Sequence, residues 1–252
     1  MIIREITTRN ALTKTGIPGY DYCLNPYVGC AHGCTYCYAT FMKRFTGHPE
    51  PWGSFVDIKV NIVEALQRQV KRIRSGSVIV GSVTDPYQPV ERSSGITRRC
   101  LEVLALTDLR VHILTRSNII TRDIDVLKEM PSLEAGFSIT TDNDGIREIF
   151  EPNAPPIESR LQALEALNDA GIRTYVFAGP LLPLDPVRFA SMISGHADEV
   201  LIDKLNYSYK VEKLIRSKGL GPQMTLEMSR ENARSLAAIL RRSGIEASIL
   251  FE

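Results

Sequence analysis

Apolar runs of strand length alternate along most of this chain with segments of helical period. The pattern predicts strands at Cys23 to Val28, Ser77 to Gly81, Arg110 to Thr115, Glu134 to Thr140, Arg173 to Ala178 and Glu199 to Ile202, with Glu246 to Phe251 as a seventh candidate. Helices fall between them. Asn61 with Glu64 forms a capping arrangement ahead of Val63, Leu66, Val70 and Ile73 at helical spacing. Thr97 opens a second helix with Leu101 and Leu104 inward, and Ser159-x-x-Gln162 starts a third with Leu161, Leu164 and Leu167 as its stripe and Gly171 as its stop. Asp185-Pro186 caps the next, and the last long helix runs from Ser229 to Ser243.

Strands alternating with helices predict α/β architecture built from βα units on a parallel sheet. With six or so units rather than eight, the expected fold is a partial (β/α)6 TIM-like barrel, open on one side. A doubly wound open sheet is the competing arrangement, which periodicity does not separate from it. The expected organisation is a cap segment over residues 1–22, a partial barrel over 23–206, and a C-terminal closure of the barrel mouth over 207–252. Polar residues gather where strands end: Ser82-Val83-Thr84-Asp85, Thr115-Arg116-Ser117, Ser138 with Thr140, Thr141 and Asp142, and Asp203-Lys204-Leu205-Asn206. Turn chemistry accounts for any one of these. Several on one rim predict a site at the C-terminal ends of the strands.

Composition sets the outer limits. A chain of 252 residues with 44% hydrophobic content supports a sizeable core, and its net charge of +1 leaves no overall footprint for nucleic acid. The clusters Lys71, Arg72 and Arg74, Arg98-Arg99 and Arg241-Arg242 are expected on solvated helix ends or faces. Tyr207 and Tyr209 beside Lys204 and Lys210 form the most nucleic-acid-like group. No stretch reaches membrane-spanning length, and Met1 to Asn10 lacks the apolar run of a signal peptide, so the expected location is the cytoplasm with no membrane partner.

The chemistry concentrates between Asn25 and Thr40, where Cys30, Cys34 and Cys37 are spaced C-x3-C-x2-C. Three thiolates so close can ligate three corners of a cubane iron–sulfur cluster and leave one iron open to a small molecule. Two other readings compete. His32 could complete a Cys3His zinc site, although zinc ligands usually come as two separated pairs. A disulfide fits poorly with five cysteines in a chain of cytoplasmic character.

C-x3-C-x2-C with Tyr36 before the last cysteine resembles the signature of the radical S-adenosylmethionine (SAM) superfamily. The resemblance implies a 4Fe–4S cluster whose open iron is chelated by SAM, reductive cleavage to a 5′-deoxyadenosyl radical, and hydrogen abstraction from a substrate. It also implies an electron donor such as ferredoxin or flavodoxin. Tyr36 sits at the aromatic position whose flanking backbone meets the adenine. The run Gly81-Ser82-Val83-Thr84-Asp85-Pro86-Tyr87-Gln88-Pro89 resembles the spore photoproduct lyase-like branch.

On that resemblance, Thr84 and Asp85 are expected to receive the SAM amino group, as acceptors for an ammonium. Arg116 and Ser138 are expected to meet the SAM carboxylate or ribose, and Thr140 shares the inward face with Ser138. The branch has a lysine where Arg116 stands. Arg160 opens an amphipathic helix where a cation is unfavourable, which points either to a partner such as the SAM carboxylate or to an exposed surface arginine. Tyr36 and Tyr38 bracket Cys37 as tyrosines do in the branch and are the catalytic candidates; walling the cluster is the alternative. Ser82 stands where the branch carries a cysteine hydrogen-atom donor. A serine O–H bond is too strong for that task, so the resemblance carries superfamily and branch but argues against thymine-dimer repair. The substrate is left open, with modification of a nucleobase or RNA as the second enzyme reading and a zinc-bound, non-enzymatic module as the third. The loop Pro86 to Arg92 and residues Lys204 to Tyr209 are expected near the substrate.

Overall fold

The computed structural model describes residues 1–252. In chain order, β1 (Ile2–Ile6), β2 (Leu12–Lys14), β3 (Tyr22–Leu24), β4 (Tyr27–Val28) and β5 (Phe55–Lys59) precede α1 (Ile62–Val70) and β6 (Ser77–Val80). Then follow α2 (Glu91–Ser94), α3 (Ile96–Leu104), β7 (Arg110–Thr115), α4 (Ile124–Leu127), β8 (Leu133–Ser138), α5 (Asp144–Phe150), α6 (Ile157–Asp169) and β9 (Arg173–Ala178). The chain ends with α7 (Pro186–Ile193), β10 (Glu199–Ile202), α8 (Glu212–Ser217), α9 (Leu226–Arg242) and β11 (Glu246–Ile249).

The main sheet runs β11-β10-β9-β8-β7-β6-β3-β2. All neighbours from β3 to β11 pair in parallel, and β2 adds an antiparallel edge to β3. The sheet therefore contains the six expected parallel strands plus the seventh, and it is not closed: β2 and β11 are free edges. This is the open partial barrel the periodicity predicts. A smaller sheet, β1-β5-β4, stands beside it. No helix is long and apolar enough to cross a membrane.

Period-two alternation sorts each strand into two faces. Val78 and Val80, Val111 and Ile113, Ala135 and Phe137, Val176 and Ala178, and Val200 and Ile202 join one core of 46 buried residues. Leu66, Leu101, Leu104, Leu164, Leu167, Phe189 and Leu240 supply its helical side. The alternate residues face the inside of the half barrel. There a Cβ on Gly136 would lie 2.1 Å from the Tyr175 ring, so glycine is what lets that ring cross the inner face, where its hydroxyl donates to Ile113 O. His112 Nδ1 and Glu134 lie 3.2 Å apart at the N-terminal end of the strands, the end opposite the cysteines.

Several local expectations differ from the structure. Cys23 to Val28 is divided, with β3 in the main sheet and β4 in the small one. The break falls at Asn25-Pro26; proline has no N–H for a ladder, and the Asn25 side chain turns to Val83 N and Ser82 Oγ. Asn61 precedes α1 but does not cap it, because its amide bonds both backbone groups of Thr8. α3 begins at Ile96, and Thr97 donates to Pro86 O instead of capping. Ser159 lies inside α6, which starts after Pro156. Asp185 does cap α7, accepting from Val187 N and Arg188 N.

Candidate active site at the mouth of the half barrel

Cys30, Cys34 and Cys37 lie on the loop between β4 and a 3₁₀ helix over Tyr38–Phe45, and none is in a disulfide. The loop is fastened from several sides. Thr84 Oγ1 donates to Gly29 O at 2.5 Å, Ala31 N to Gln88 Oε1 at 2.8 Å, Thr35 N to Phe150 O at 2.9 Å, and Lys210 Nζ to Cys37 O at 2.8 Å. Residues following β10 complete the enclosure, since Leu205, Val211, Leu214, Leu220 and Met224 pack with Cys34, Tyr36 and Phe150.

Burial pushes all three thiols up, Cys34 to about 12. Their mutual repulsion as thiolates adds to it, while Arg116 and Arg160 oppose it at Cys34. Crowded thiols that disfavour lone thiolates are what a bound metal relieves, because its positive charge deprotonates coordinating sulfur. The donor set fits an iron–sulfur centre. It fits a Cys3His zinc site poorly: His32 Nε2 faces Asp85 Oδ2 at 3.1 Å and its Nδ1 lies 3.4 Å from Asn153 O, so both ring nitrogens are turned to oxygens.

Asp85 is buried and accepts three hydrogen bonds. Oδ1 accepts from Tyr87 N at 2.9 Å and Thr115 Oγ1 at 2.7 Å; Oδ2 accepts from Arg116 N at 2.8 Å and faces His32. Burial alone would raise its pKa, but His32 and the hydrogen bonds bring it down to about 2. A carboxylate offers about four acceptor directions; here three take hydrogen bonds and the fourth faces His32. Thr84 likewise donates to Gly29 O and accepts from Gln88 Nε2. An ammonium, which this pair is expected to receive, would share these groups with the contacts they already make.

Four other candidates meet around a residue the sequence reading passed over. Glu151 Oε1 accepts from the Tyr36 hydroxyl, from Arg116 Nε at 3.3 Å and from Thr140 Oγ1 at 3.2 Å, and Oε2 lies 2.6 Å from Arg160 Nη2. Arg116 Nη2 also donates to the Tyr36 hydroxyl at 3.0 Å. Burial would raise the Glu151 carboxyl; Arg160 and Arg116 hold it at about 2 instead. Arg160 is not exposed: its side chain is 0% accessible and also donates to Ser138 O and Pro155 O. The helix-start mismatch noted for it is answered by an internal carboxylate. Glu151 was not legible in the sequence, since nothing in the spacing joins it to Tyr36, Arg116, Thr140 and Arg160. His32 was weighed solely as a zinc ligand, and Lys210 solely as part of a basic group.

Ser138 differs from the rest. Its hydroxyl is buried with no partner in the protein, on the inner face at the end of β8. Tyr38 is 41% exposed, donates to Ser82 O, and has its hydroxyl pushed up to about 12, chiefly by burial and then by the negative charge of Cys37. Its ring stacks at 6.4 Å on both Phe41 and Tyr207. Ser82 Oγ accepts from Asn25 Nδ2 at 2.9 Å.

Three buried thiols at the C-terminal ends of parallel strands, backed by a buried ionic network, place the candidate site at the mouth of an α/β half barrel. Residues 24–186 match the sequence profile of the radical SAM superfamily, and the chain belongs to that family; it is a radical SAM enzyme. An uncharacterized protein of Methanocaldococcus jannaschii is 35% identical over 183 residues, 72% of this chain and 68% of that protein. One from Acidianus two-tailed virus is 32% identical, covering 66% of this chain and 58% of its own length. The radical SAM Nalpha-GlyT isomerase of Pseudomonas phage M6 is 27% identical over 160 residues, 63% of this chain but 32% of that enzyme. The chain thus spans less than two thirds of the length of two of these three relatives. In fold it is similar to spore photoproduct lyase complexed with dinucleoside spore photoproduct, with a TM-score of 0.72 and 14% identity over 99% of this chain and 82% of that one.

Proposed function

We propose that Cys30, Cys34 and Cys37 hold a 4Fe–4S cluster and that SAM binds beside it at the mouth of the half barrel. Such a pair supplies, when bound, one-electron cleavage of the sulfonium and a 5′-deoxyadenosyl radical for hydrogen abstraction from substrate. The observation that carries this reading is the tight thiol trio beside a His32 whose ring nitrogens face Asp85 Oδ2 and Asn153 O. Ser138, with its unpartnered hydroxyl, is the residue proposed to hydrogen-bond SAM. Arg116 presents its guanidinium beside Cys34 and Tyr36, where a carboxylate would be received. Tyr36, Thr140 and Arg160 orient Arg116 through Glu151, and Asp85 and Thr84 position the cysteine loop. Anaerobic reconstitution tests the whole: iron and sulfide at about four each per chain, and 5′-deoxyadenosine on adding reductant and SAM, are the expected result. Stoichiometric zinc, or a reduced SAM-loaded protein that forms no 5′-deoxyadenosine, would overturn it.

For the substrate, a nucleobase is favoured by one specific feature. Tyr38, Phe41, Tyr207 and Tyr209 form an exposed aromatic tier above the cysteine loop, and Lys210 Nζ lies 5.7 Å from the Tyr207 ring centre. Aromatic faces with a cation alongside suit stacked bases. The names of the phage isomerase and of the lyase with its bound dinucleoside point the same way. Single-stranded oligonucleotide binding that Tyr207→Ala weakens would support this reading, and equal binding by the two proteins would remove it.

A further inference from the structure

Lys210 is more than a cation beside the aromatic tier. It lies in the stretch after β10, 173 positions from Cys37, and its Nζ donates to Cys37 O at 2.8 Å and to Thr40 Oγ1. No other hydrogen bond joins residues 205–224 to residues 25–45. The two acceptors bracket Tyr38, one being the carbonyl just before it and the other a hydroxyl two residues after it. The ammonium therefore grips the backbone at the point from which the Tyr38 ring leaves.

The same lysine is fixed to Tyr207. Lys210 N donates to Tyr207 O at 3.0 Å and closes a 3₁₀ turn, in which residues three apart eclipse. That brings the ammonium back beside the Tyr207 ring, 5.7 Å from its centre, where cation–π attraction adds to the hold. Tyr207 lies in turn on Tyr38, with ring centres 6.4 Å and planes 19° apart. The turn has no apolar anchor of its own: none of Ser208, Tyr209 and Lys210 is buried, and Val211 is the first buried residue beyond them. An ammonium serving only as a surface cation would keep three N–H groups for water or phosphate, whereas this one spends two inside the chain.

We propose that Lys210 is a positioning residue that holds Tyr207 against Tyr38 and so builds the face on which the substrate base stacks. The proposal takes its substrate from the nucleobase reading above and its geometry from the contacts of Lys210 alone. Two rings delivered by elements far apart in the chain make a stacking surface only in a fixed register, and one side chain sets it here by holding both.

The test compares the natural protein with Lys210→Met, which keeps an aliphatic stem and removes the ammonium, with Tyr207→Ala, and with the double variant. Binding of a mixed-sequence single-stranded DNA oligonucleotide to the natural protein is measured first and decides the nucleobase reading by itself. Amide hydrogen exchange needs no ligand and decides the positioning role whatever that result. In Lys210→Met, exchange should be at least about tenfold faster over residues 38–41 and 205–211 and unchanged in β6 to β10. Unchanged exchange at both stretches overturns the proposal, and so does faster exchange throughout the sheet, which would make Lys210 a support of the whole fold. Where the natural protein binds the oligonucleotide, Lys210→Met should bind about tenfold more weakly, within the worth of one stacked base, and the double variant no more weakly than Tyr207→Ala. Additive losses, or a log–log salt dependence shallower by about 0.7 in Lys210→Met, would make the lysine a direct phosphate contact and overturn the positioning role.

Discussion

Glu151 carries more of the site than any residue the sequence pointed to. It is one buried carboxylate facing two guanidinium groups, so removing its charge leaves cations in a low-dielectric interior without a counter-ion. Glu151→Gln keeps the shape and is expected to cost about 3–5 kcal/mol in urea unfolding at neutral pH. The acid limb of the stability curve should change with it. The folded-state pKa lies below the ordinary 4.5, at about 2, so this group stabilises the fold above pH 4.5 and the contribution is lost as pH falls toward 2. Asp85, lowered from 3.8 to about 2, contributes in nearly the same window. Unfolding free energies measured at pH 5, 4 and 3 should fall more steeply for the natural protein than for Glu151→Gln, which retains only the Asp85 part. Parallel slopes would mean that Glu151 is not ionised at the centre of the network.

The cysteine loop and the turn before β5 act as one element because their backbones meet at Gly33 and Gly53. Gly53 has φ +95°, and its missing Cβ is what permits the contact. Gly53→Ala should cost about 1–3 kcal/mol, a few degrees in Tm, and should lower iron retention with it. Gly47→Ala, in the same stretch but with open space around it, should do neither. Elements of this kind mark the boundary of what the sequence disclosed. β7, β9 and β10 were legible to the residue, because an apolar strand under helices leaves a periodic trace. The three cysteines were legible because their spacing is itself a chemical pattern. Glu151, His32 and Gln88 were not, since their partners lie 115, 53 and 57 positions away and long-range polar contacts leave no period. The same gap explains Asp85 and Arg160: each was recognised as unusual, and each found its partner inside the protein, so a polar residue on the right rim marked the neighbourhood of the site more reliably than its own task.

At the scale of the whole molecule, the apolar core and the cysteine loop are separate bodies of packing. The 46-residue core lies between the sheet and its helices, whereas Cys34 and Tyr36 belong to a group of six buried residues around the mouth. Amide hydrogen exchange should therefore be slowest in β6 to β10 whether or not the centre is loaded. Loading should add protection only over residues 30–38 and the enclosing stretch 205–224. Protection gained throughout the sheet would contradict this division. The cluster proposed for the thiol trio is thus a guest on a finished frame, unlike the ion of a zinc finger, whose chain collapses when it is withdrawn. On the proposed reading, an oxygen-damaged cluster is stripped out and rebuilt in place, with the polypeptide reused instead of discarded.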